Sequence, residues 1–406
     1  MAALVITGIG LALPPGLHLD DVTARAVRGE SGIRASHHMA GPSGEPVAAG
    51  EVPPFETGVS LRLAKNEKFF SRSVACAMRA ALDAVDGAGG LGAFEPHRIA
   101  IYTGSGQTGL EPSEFFAALE VAETGDRDST YRQLGGRASR LIDRYWSLRT
   151  LSNAGLGLLA AEFAARGPSG NFVQGETASA HALEAAYYDV IEGRCDVALA
   201  GGYDCLLTPS TYLAYQRAGM LSSSTPERAY RPFDRERDGL VLGEGAAFVV
   251  IERDDHARAR GATILAHLRG IGLSHGSMTD AVHHAGNGAR PDLVIARGIG
   301  TRTDDRRDAH DLAAMGFADV PVTALKSFTS YIGAATAIAE LCVGILAARQ
   351  RVAPPIARFS ASDDDCPLTL VAGQARAIAS ATPSLLALSG SWSGQCAAIA
   401  ADVPAA

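Results

Sequence analysis

Short apolar runs alternate along the chain with amphipathic stretches of helical period. Val, Ile, Leu and Ala dominate the apolar runs, which is typical of strands that are covered on both faces. The predicted strands are 3–12, 98–106, 170–175, 196–202, 246–252, 263–272, 292–297, 321–325, 384–390 and 396–402. The predicted helices are 19–29, 70–87, 112–121, 154–165, 179–193, 209–218, 305–315 and 334–349.

This order of segments starts again after residue 255. Two rounds of strand, helix and buried strand predict a duplicated α/β unit, with an N-terminal half at residues 1–255 and a C-terminal half at 256–406. Between the elements, residues 35–62 are rich in Gly, Pro and Ser and predict a loop. Residues 276–291 predict a short connection rich in Gly and His.

A sharp turn at Glu176 joins a short apolar strand to the start of an Ala-rich helix. The first N–H groups of a helix have no partner inside it, and the partial positive charge there favours an anion. Nucleophiles of enzymes occupy such elbows for this reason. The sequence therefore predicts a functional position at residue 176, although a carboxylate stands there.

Composition and charge narrow the class of protein. The chain has 406 residues, of which 47% are hydrophobic and 20% charged, so it is globular. A net charge of -8, with no run of Lys or Arg, argues against nucleic acid, and an acidic protein partner would need a local basic patch. No apolar run is long enough to span a bilayer, and the first residues predict a strand without a charged leader region, so we expect a cytoplasmic protein.

Cofactor and metal motifs are not found in the sequence. The six cysteines form no C-x-x-C pair and are interpreted as core or surface thiols. His283 and His284 are adjacent, and neighbouring histidines rarely point at one ion. The two G-x-G segments, at Gly8 and Gly104, lack the third glycine and the acidic residue of a dinucleotide fingerprint. We therefore expect no cofactor and no metal.

Three motifs resemble those of the β-ketoacyl synthase branch of the thiolase superfamily. The chain opens with V-I-T-G-I-G at residues 5–10 and has R-G-P at 166–168, just before the elbow strand. Residues 231–245 read R-P-F-D-R-E-R-D-G-L-V-L-G-E-G, which is the longest and most specific match. The resemblance implies a duplicated thiolase fold with five layers, αβαβα.

The catalytic positions differ from those of the family, in which a cysteine nucleophile works with two histidines. By the register of the motifs, the cysteine position is Glu176, and the two histidine positions are Arg297 and Tyr331. Lys326 is retained, and the glycine-rich segment near the end of the chain is Ser-Trp-Ser-Gly-Gln-Cys at 391–396. A carboxylate does not replace a thiolate in acyl transfer, so we expect no condensation by this chain alone.

The pattern is similar to the chain length factor, the ketosynthase β subunit of bacterial type II polyketide synthases. This resemblance implies a heterodimer with an active ketosynthase, in which residues 170–175 pair across a pseudo-two-fold axis, and an acyl carrier protein that brings a phosphopantetheine-bound chain. It also implies a tunnel that sets chain length. The matching positions are Leu110, Ser113, Phe116, Ala117 and Tyr212. Several are smaller than the aromatic residues of subunits that serve aromatic polyketides, which favours a linear chain such as a polyene.

Two other functions remain open at this point. The first is a malonyl-carrier-protein decarboxylase, and the second is a diverged acyltransferase that uses Ser179 or Thr177 as its nucleophile. Neither hydroxyl has a base nearby in sequence, and His181 is interpreted as a packed helix residue. A buried carboxylate needs a partner, so we also predict a Glu176–Arg297 salt bridge with the Tyr331 hydroxyl close by.

Overall fold

The computed structural model describes residues 3–41, 44–106, 115–286 and 289–405. The strands are β1 Leu4–Ala12, β2 Arg34–Ala40, β3 Pro46–Ala49, β4 Ile99–Ser105, β5 Ser169–Phe172, β6 Val197–Cys205, β7 Glu244–Arg253, β8 Ala266–His275, β9 Leu293–Ile295, β10 Pro321–Thr323, β11 Val352–Ala353, β12 Thr369–Leu370, β13 Arg376–Ala377, β14 Ser384–Gly390 and β15 Gln395–Asp402.

The helices are α1 Leu19–Arg28, α2 Leu61–Ala64, α3 Arg72–Gly87, α4 Phe116–Ala122, α5 Arg127–Gly135, α6 Trp146–Arg149, α7 Ala154–Glu162, α8 Ala178–Ile191, α9 Pro209–Arg217, α10 Asp254–Ala259, α11 Met278–Gly286, α12 Arg302–Ala314, α13 Lys326–Thr329 and α14 Thr336–Arg349. Short 3-10 turns lie at Glu67–Phe69, Pro96–Arg98, Ala138–Leu141, Gly175–Thr177 and Gly333–Ala335.

Within the described residues, eleven strands form one sheet in the order β12-β10-β9-β14-β15-β8-β1-β7-β6-β4-β5. The N-terminal five have the order β5-β4-β6-β7-β1, with two parallel pairings followed by two antiparallel ones. The C-terminal five repeat this as β10-β9-β14-β15-β8, with the same sequence of parallel and antiparallel pairings. The two sets meet where β1 pairs with β8. The topology is therefore duplicated, and a boundary near residue 255 remains our interpretation of where the halves divide.

The helices pack in layers on the two half-sheets. Helices α8 and α14 contribute buried side chains to one core together with strands of both halves, so they form the middle layer. Helix α3 covers the other face of the N-terminal half, and α11 and α12 cover that of the C-terminal half. This is the expected five-layered αβαβα arrangement. Helix α14 is buried on nearly all sides, which explains why most of its residues are apolar.

Glycines in the first strand of each half let an outer helix pack closely. A Cβ atom at Gly10 in β1 would lie 1.8 Å from the Ala80 carbonyl oxygen of α3. In β8, a Cβ atom at Gly272 would lie 2.0 Å from the Ala281 carbonyl oxygen of α11. The G-x-G pair near the start of the chain thus allows close helix packing. Gly270 and Gly272 allow the same close packing in the second half.

Two predictions about loops are wrong. The 35–62 stretch contains the β2–β3 hairpin. The 276–291 stretch, expected to be a connection without a helix, contains α11. Ala281, Val282 and Ala285 are buried at helical spacing against the sheet, and this contact outweighs the local content of Gly and His.

The retained segment 231–245 connects the two halves. Asp234 accepts hydrogen bonds from the backbone N–H groups of Ser360 (2.6 Å) and Ala361 (3.1 Å). Arg237 is buried and lies 2.7 Å from an Asp363 carboxylate oxygen. Because the segment contacts the C-terminal half through buried polar bonds, its residues are constrained by the fold, whether or not the site is active. Across the described ranges, no helix combines the length and the apolar character needed to cross a membrane.

Candidate functional site

The elbow is formed as the sequence predicts. Strand β5 ends at Phe172, the 3-10 turn Gly175–Thr177 follows, and α8 begins at Ala178. Gly175 has a φ of 56°, in the left-handed region that glycine adopts without strain. Glu176 is 1% exposed. The turn therefore places a carboxylate in the interior of the protein, at the start of the central helix.

Lys326 is the ionic partner of Glu176. Its Nζ lies 2.8 Å from Oε1 of Glu176 and 3.2 Å from an Oε1 of Glu340 on α14. It also donates a hydrogen bond of 2.6 Å to the backbone carbonyl oxygen of Arg297. Lys326, Glu176 and Glu340 are all buried. We call these three residues the elbow triad.

The charges of the elbow triad nearly cancel. Burial lowers the pKa of Lys326, but the carboxylates of Glu176 and Glu340 outweigh burial, so the net shift is upward. Burial raises the pKa of Glu340 to about 8, although Lys326 opposes this shift. The raised pKa of Glu340 favours its protonated form at neutral pH, which reduces the negative charge beside Lys326. Pairing lowers the free-energy cost of burying these charges.

The predicted Glu176–Arg297 salt bridge is wrong. The Arg297 guanidinium instead contacts two carboxylates of α12, with Nε 2.9 Å from Oδ2 of Asp308 and Nη2 3.3 Å from Oδ1 of Asp304. Asp304 and Asp308 are one helical turn apart, so both face the arginine fork. Burial lowers the pKa of Arg297, but Asp308 outweighs it, and Glu176 and Asp304 contribute further to a net rise. Arg297 thus lies within electrostatic range of Glu176 without pairing with it.

Tyr331 lies where the sequence places it, close to the elbow. Its backbone N–H donates to the Val241 carbonyl oxygen (2.8 Å), and its carbonyl oxygen accepts from Gly243 (2.9 Å), so the 231–245 segment fixes it. The side chain is 4% exposed. Burial raises the pKa of Tyr331 well above its usual range, and the Glu176 carboxylate raises it further. Its hydroxyl is therefore protonated at neutral pH.

The other hydroxyls and imidazoles near the elbow have structural partners. The Ser179 hydroxyl accepts a hydrogen bond from the Ile338 N–H (3.3 Å), and the Thr177 hydroxyl donates to the Gln174 carbonyl oxygen (3.1 Å). His181 Nδ1 lies 2.9 Å from the Thr177 carbonyl oxygen on the same helix. Among the described residues, no base contacts either hydroxyl, so the structure offers no support for an acyltransferase nucleophile at these positions.

The remaining histidines and cysteines do not form a metal site in the part of the chain that the structure describes. His283 and His284 lie on α11, with ring centroids 6.3 Å apart. Burial raises the pKa of the Cys76 thiol to about 12, and the other cysteines are likewise free thiols.

The structure describes three of the five predicted tunnel positions. Leu110 and Ser113 lie outside the described residues. Phe116 is 56% exposed on α4 with Ala117 beside it, and Tyr212 lines a different, small pocket near Met39 and Leu221. Whether these five positions form one channel remains a prediction.

A cavity of about 470 Å³, not predicted from the sequence, lies at the carboxyl ends of β4 and β6. Ser105, Gly106, Tyr203 and Asp204 line its inner wall. Asp204 accepts hydrogen bonds from the N–H groups of Cys205 (2.9 Å) and Ala334 (3.0 Å), and burial raises its pKa to about 6. Ligands of α/β proteins bind at the carboxyl ends of parallel strands. The polar residue Asp204 near the end of a buried strand was therefore the sequence feature that could have indicated this cavity.

Comparison with known proteins identifies the family. Residues 1–257 match the family model described as beta-ketoacyl synthase, N-terminal domain. The chain is 30% identical to a putative polyketide beta-ketoacyl synthase 1 of Streptomyces cyaneus over 401 residues, which covers 92% of each chain. The chain belongs to the β-ketoacyl synthase family.

Two further matches are named as ketosynthase subunits or complexes. The chain is 28% identical to the tetracenomycin polyketide synthase ketoacyl synthase beta subunit of Streptomyces glaucescens, with 92% of each chain covered. The structure of the ishigamide ketosynthase/chain length factor superposes with a TM-score of 0.85 at 24% identity, covering 99% of each chain, which shows the shared fold.

Proposed function

We propose that this chain is a non-catalytic chain length factor that pairs with an active ketosynthase and shapes the tunnel of a polyketide synthase. The observation that carries the proposal is the elbow triad. The nucleophile position holds a buried carboxylate, and the ammonium group of Lys326 neutralises it at 2.8 Å. A thioester cannot be attacked there, since no thiol is present and the carboxylate is paired.

The two histidine positions support the same conclusion. Condensation and decarboxylation both develop negative charge on a thioester oxygen, which a free donor must stabilise. Arg297 already pairs with Asp308 and Asp304, and Lys326 pairs with Glu176 and Glu340. Because both cations already have anionic partners, neither is free to stabilise an oxyanion. The decarboxylase alternative therefore gains no support from the geometry.

The edge of the sheet supports assembly with a partner. Strand β5 is the last strand at its edge, so the backbone groups on its outer side are unpaired within the sheet. Large apolar side chains are exposed near β5 in the chain and on helices between β4 and β5, a pattern typical of an interface. They are Phe116, Leu119, Val121, Leu148, Leu151 and Val173. We propose that residues 170–175 pair with the corresponding strand of a ketosynthase, as the family resemblance implies.

A local basic surface supports docking of an acidic carrier protein. Residues 62–68 and 126–144 together contain eight Arg or Lys side chains and four Asp or Glu side chains, although the whole chain is acidic. The rings of Phe69 and Tyr145 pack edge to face at 4.9 Å, and Lys68 lies over both rings. The two stretches therefore form one surface, which supports the proposed acyl carrier protein as a partner.

Chain length is the finer part of the proposal. We propose that Leu110, Ser113, Phe116, Ala117 and Tyr212 line a channel completed by the ketosynthase, suited to a linear chain such as a polyene. The small Ala117 leaves room for an extended chain.

Co-expression with a ketosynthase of intact Cys-His-His sites tests the proposal, with molecular mass determined by light scattering. We expect a stable complex of one chain of each kind. A stable monomer, or a homodimer that does not exchange with the ketosynthase, would contradict it. Lys68→Glu should weaken binding of the carrier protein to this complex, whereas Arg376→Glu, an exposed change on β13, should not.

A further inference from the structure

Three aromatic rings form a continuous column from the elbow to the surface. The Tyr331 ring lies 6.0 Å from the Tyr215 ring, and the Tyr215 ring lies 4.9 Å from that of Trp392. Exposure increases along the column, from 4% at Tyr331 to 60% at Trp392. Tyr331 and Tyr215 both lie within electrostatic range of Glu176. The inner end of the column is therefore beside the elbow carboxylate.

Each ring is held by a different element. Tyr331 is fixed by the 231–245 segment, and Tyr215 belongs to α9. Trp392 lies in the turn between β14 and β15, where the Ser391 N–H donates to the Gln395 carbonyl oxygen (2.8 Å). Aromatic pairs at these separations are attractive beyond the area that they bury. The stacking thus joins three separate segments over one site.

The turn that carries Trp392 also contacts the elbow itself. The Thr177 hydroxyl donates to the Gln395 side-chain oxygen at 3.2 Å. A Cβ atom built on Gly175 would lie 3.8 Å from the Cβ of Ser391. The turn and the elbow are therefore in contact on both sides of Glu176, and Glu176 is only 1% exposed.

We propose that Tyr215 and Trp392 close the elbow of this subunit and so exclude acyl thioesters from it. On this account the chain is inactive for two independent reasons, the wrong nucleophile and a closed approach. Carrier-bound chains would then react only at the site of the partner subunit. The inference deepens the proposed non-catalytic role and rests on it for the identity of the excluded ligand.

Thiol labelling tests the closure without any partner, so its outcome is independent of heterodimer formation. In Glu176→Cys, alkylation of the introduced thiol by iodoacetamide, located by peptide mass spectrometry, should be slow. Adding Trp392→Ala or Tyr215→Ala should accelerate it by about tenfold or more, because labelling then no longer needs an opening of the structure. Leu213→Ala is the matched control, since Leu213 is exposed on the same helix as Tyr215 but is not a member of the column, and should leave the rate unchanged.

Fast labelling with the column intact would overturn the proposal, as would an unchanged rate after removal of both outer rings from a protein that stays folded. If the Glu176→Cys protein does not fold, hydrogen exchange gives the answer in the native background. The amides of Gly175 to Thr177 should exchange faster in Trp392→Ala than in the unchanged chain. Equal exchange in both proteins would contradict the closure.

Discussion

Lys326 Nζ lies 2.8 Å from a carboxylate oxygen of Glu176, at the position where active relatives of this fold are expected to have a nucleophilic thiol. The same ammonium group is 3.2 Å from Glu340, so one cation serves two carboxyl groups. This arrangement determines how the protein should respond to pH and to charge removal.

The first prediction concerns pH. The folded-state pKa of Glu340, about 8, is above the ordinary value of 4.5, so the proton stabilises the folded form. This contribution is fully present below the ordinary pKa and is lost as pH rises through about 8. We expect the free energy of unfolding, measured in urea between about pH 6 and pH 9, to fall with pH less steeply in Glu340→Gln than in the unchanged chain.

Asp204 and Asp305 also have raised pKa values, of about 6 and about 7, so they contribute to the slope in the lower part of this pH range, equally in both proteins. Glu120→Gln, a change of the same kind at an exposed position, should leave the slope unaltered. A slope in Glu340→Gln as steep as in the unchanged chain would show that the buried proton lies elsewhere.

The second prediction is an order of destabilisation within the elbow triad. Lys326→Met leaves Glu176 buried without a cation and should cost about 3–5 kcal/mol in the free energy of unfolding. Glu176→Gln should cost less, because Glu340 can then ionise and neutralise Lys326. Urea unfolding at neutral pH measures both.

The double variant Lys326→Met with Glu176→Gln supplies the control. It removes cation and anion together and should be more stable than Lys326→Met alone. If Glu176→Gln proves the more damaging single change, the assignment of the charges within the triad is wrong.

The sequence predicted the outline of the fold because buried strands and the helices between them have distinct periods. The order of segments predicted a duplicated α/β unit, and the family resemblance that the 231–245 motif carries implied five layers. Helix α11 was missed because its nine residues include two histidines and a glycine, which locally favour a loop. The glycines of β8 pack against α11 in the same way as the glycines of β1 pack against α3. This correspondence between the two helices is visible only in the structure.

The elbow was predicted, but its ionic partner was not. Lys326 and Arg297 are both distant from Glu176 in sequence. The local sequence pattern therefore does not show which of the two cations pairs with the carboxylate. The deciding residues are Asp304 and Asp308, whose helical spacing presents two oxygens to Arg297. Once Arg297 is paired, Lys326 is the cation left for Glu176. Competition between partners depends on the tertiary structure, so the sequence alone left it open.

The third prediction concerns the proposed interface. Val173, just after β5, is 39% exposed, and an aspartate there would place a charge within the paired strands. Val173→Asp should reduce the fraction of chain that co-purifies with the ketosynthase, measured by sizing of the co-expressed proteins. Leu213→Asp, at an exposed leucine of α9, should not. Equal loss in both variants would point to a general effect on folding.

The fourth prediction concerns chain length. Ala117→Trp adds an indole to the proposed channel wall and should shorten the polyketide made by a working complex, as determined by mass spectrometry of the products. Ala372→Trp, the same change in an exposed loop, is the control. An unchanged set of products in a complex that assembles normally would remove residue 117 from the tunnel.

Turnover of malonyl-carrier protein tests the central claim most directly, and it is measured with the purified chain, with the partner ketosynthase, and with both together. The account predicts that the chain alone releases no carbon dioxide and forms no carbon–carbon bond above the rate without protein. It also predicts that the two together make a longer product than the ketosynthase alone. Decarboxylation or condensation by the isolated chain, abolished by Lys326→Met in folded protein, would contradict the non-catalytic assignment.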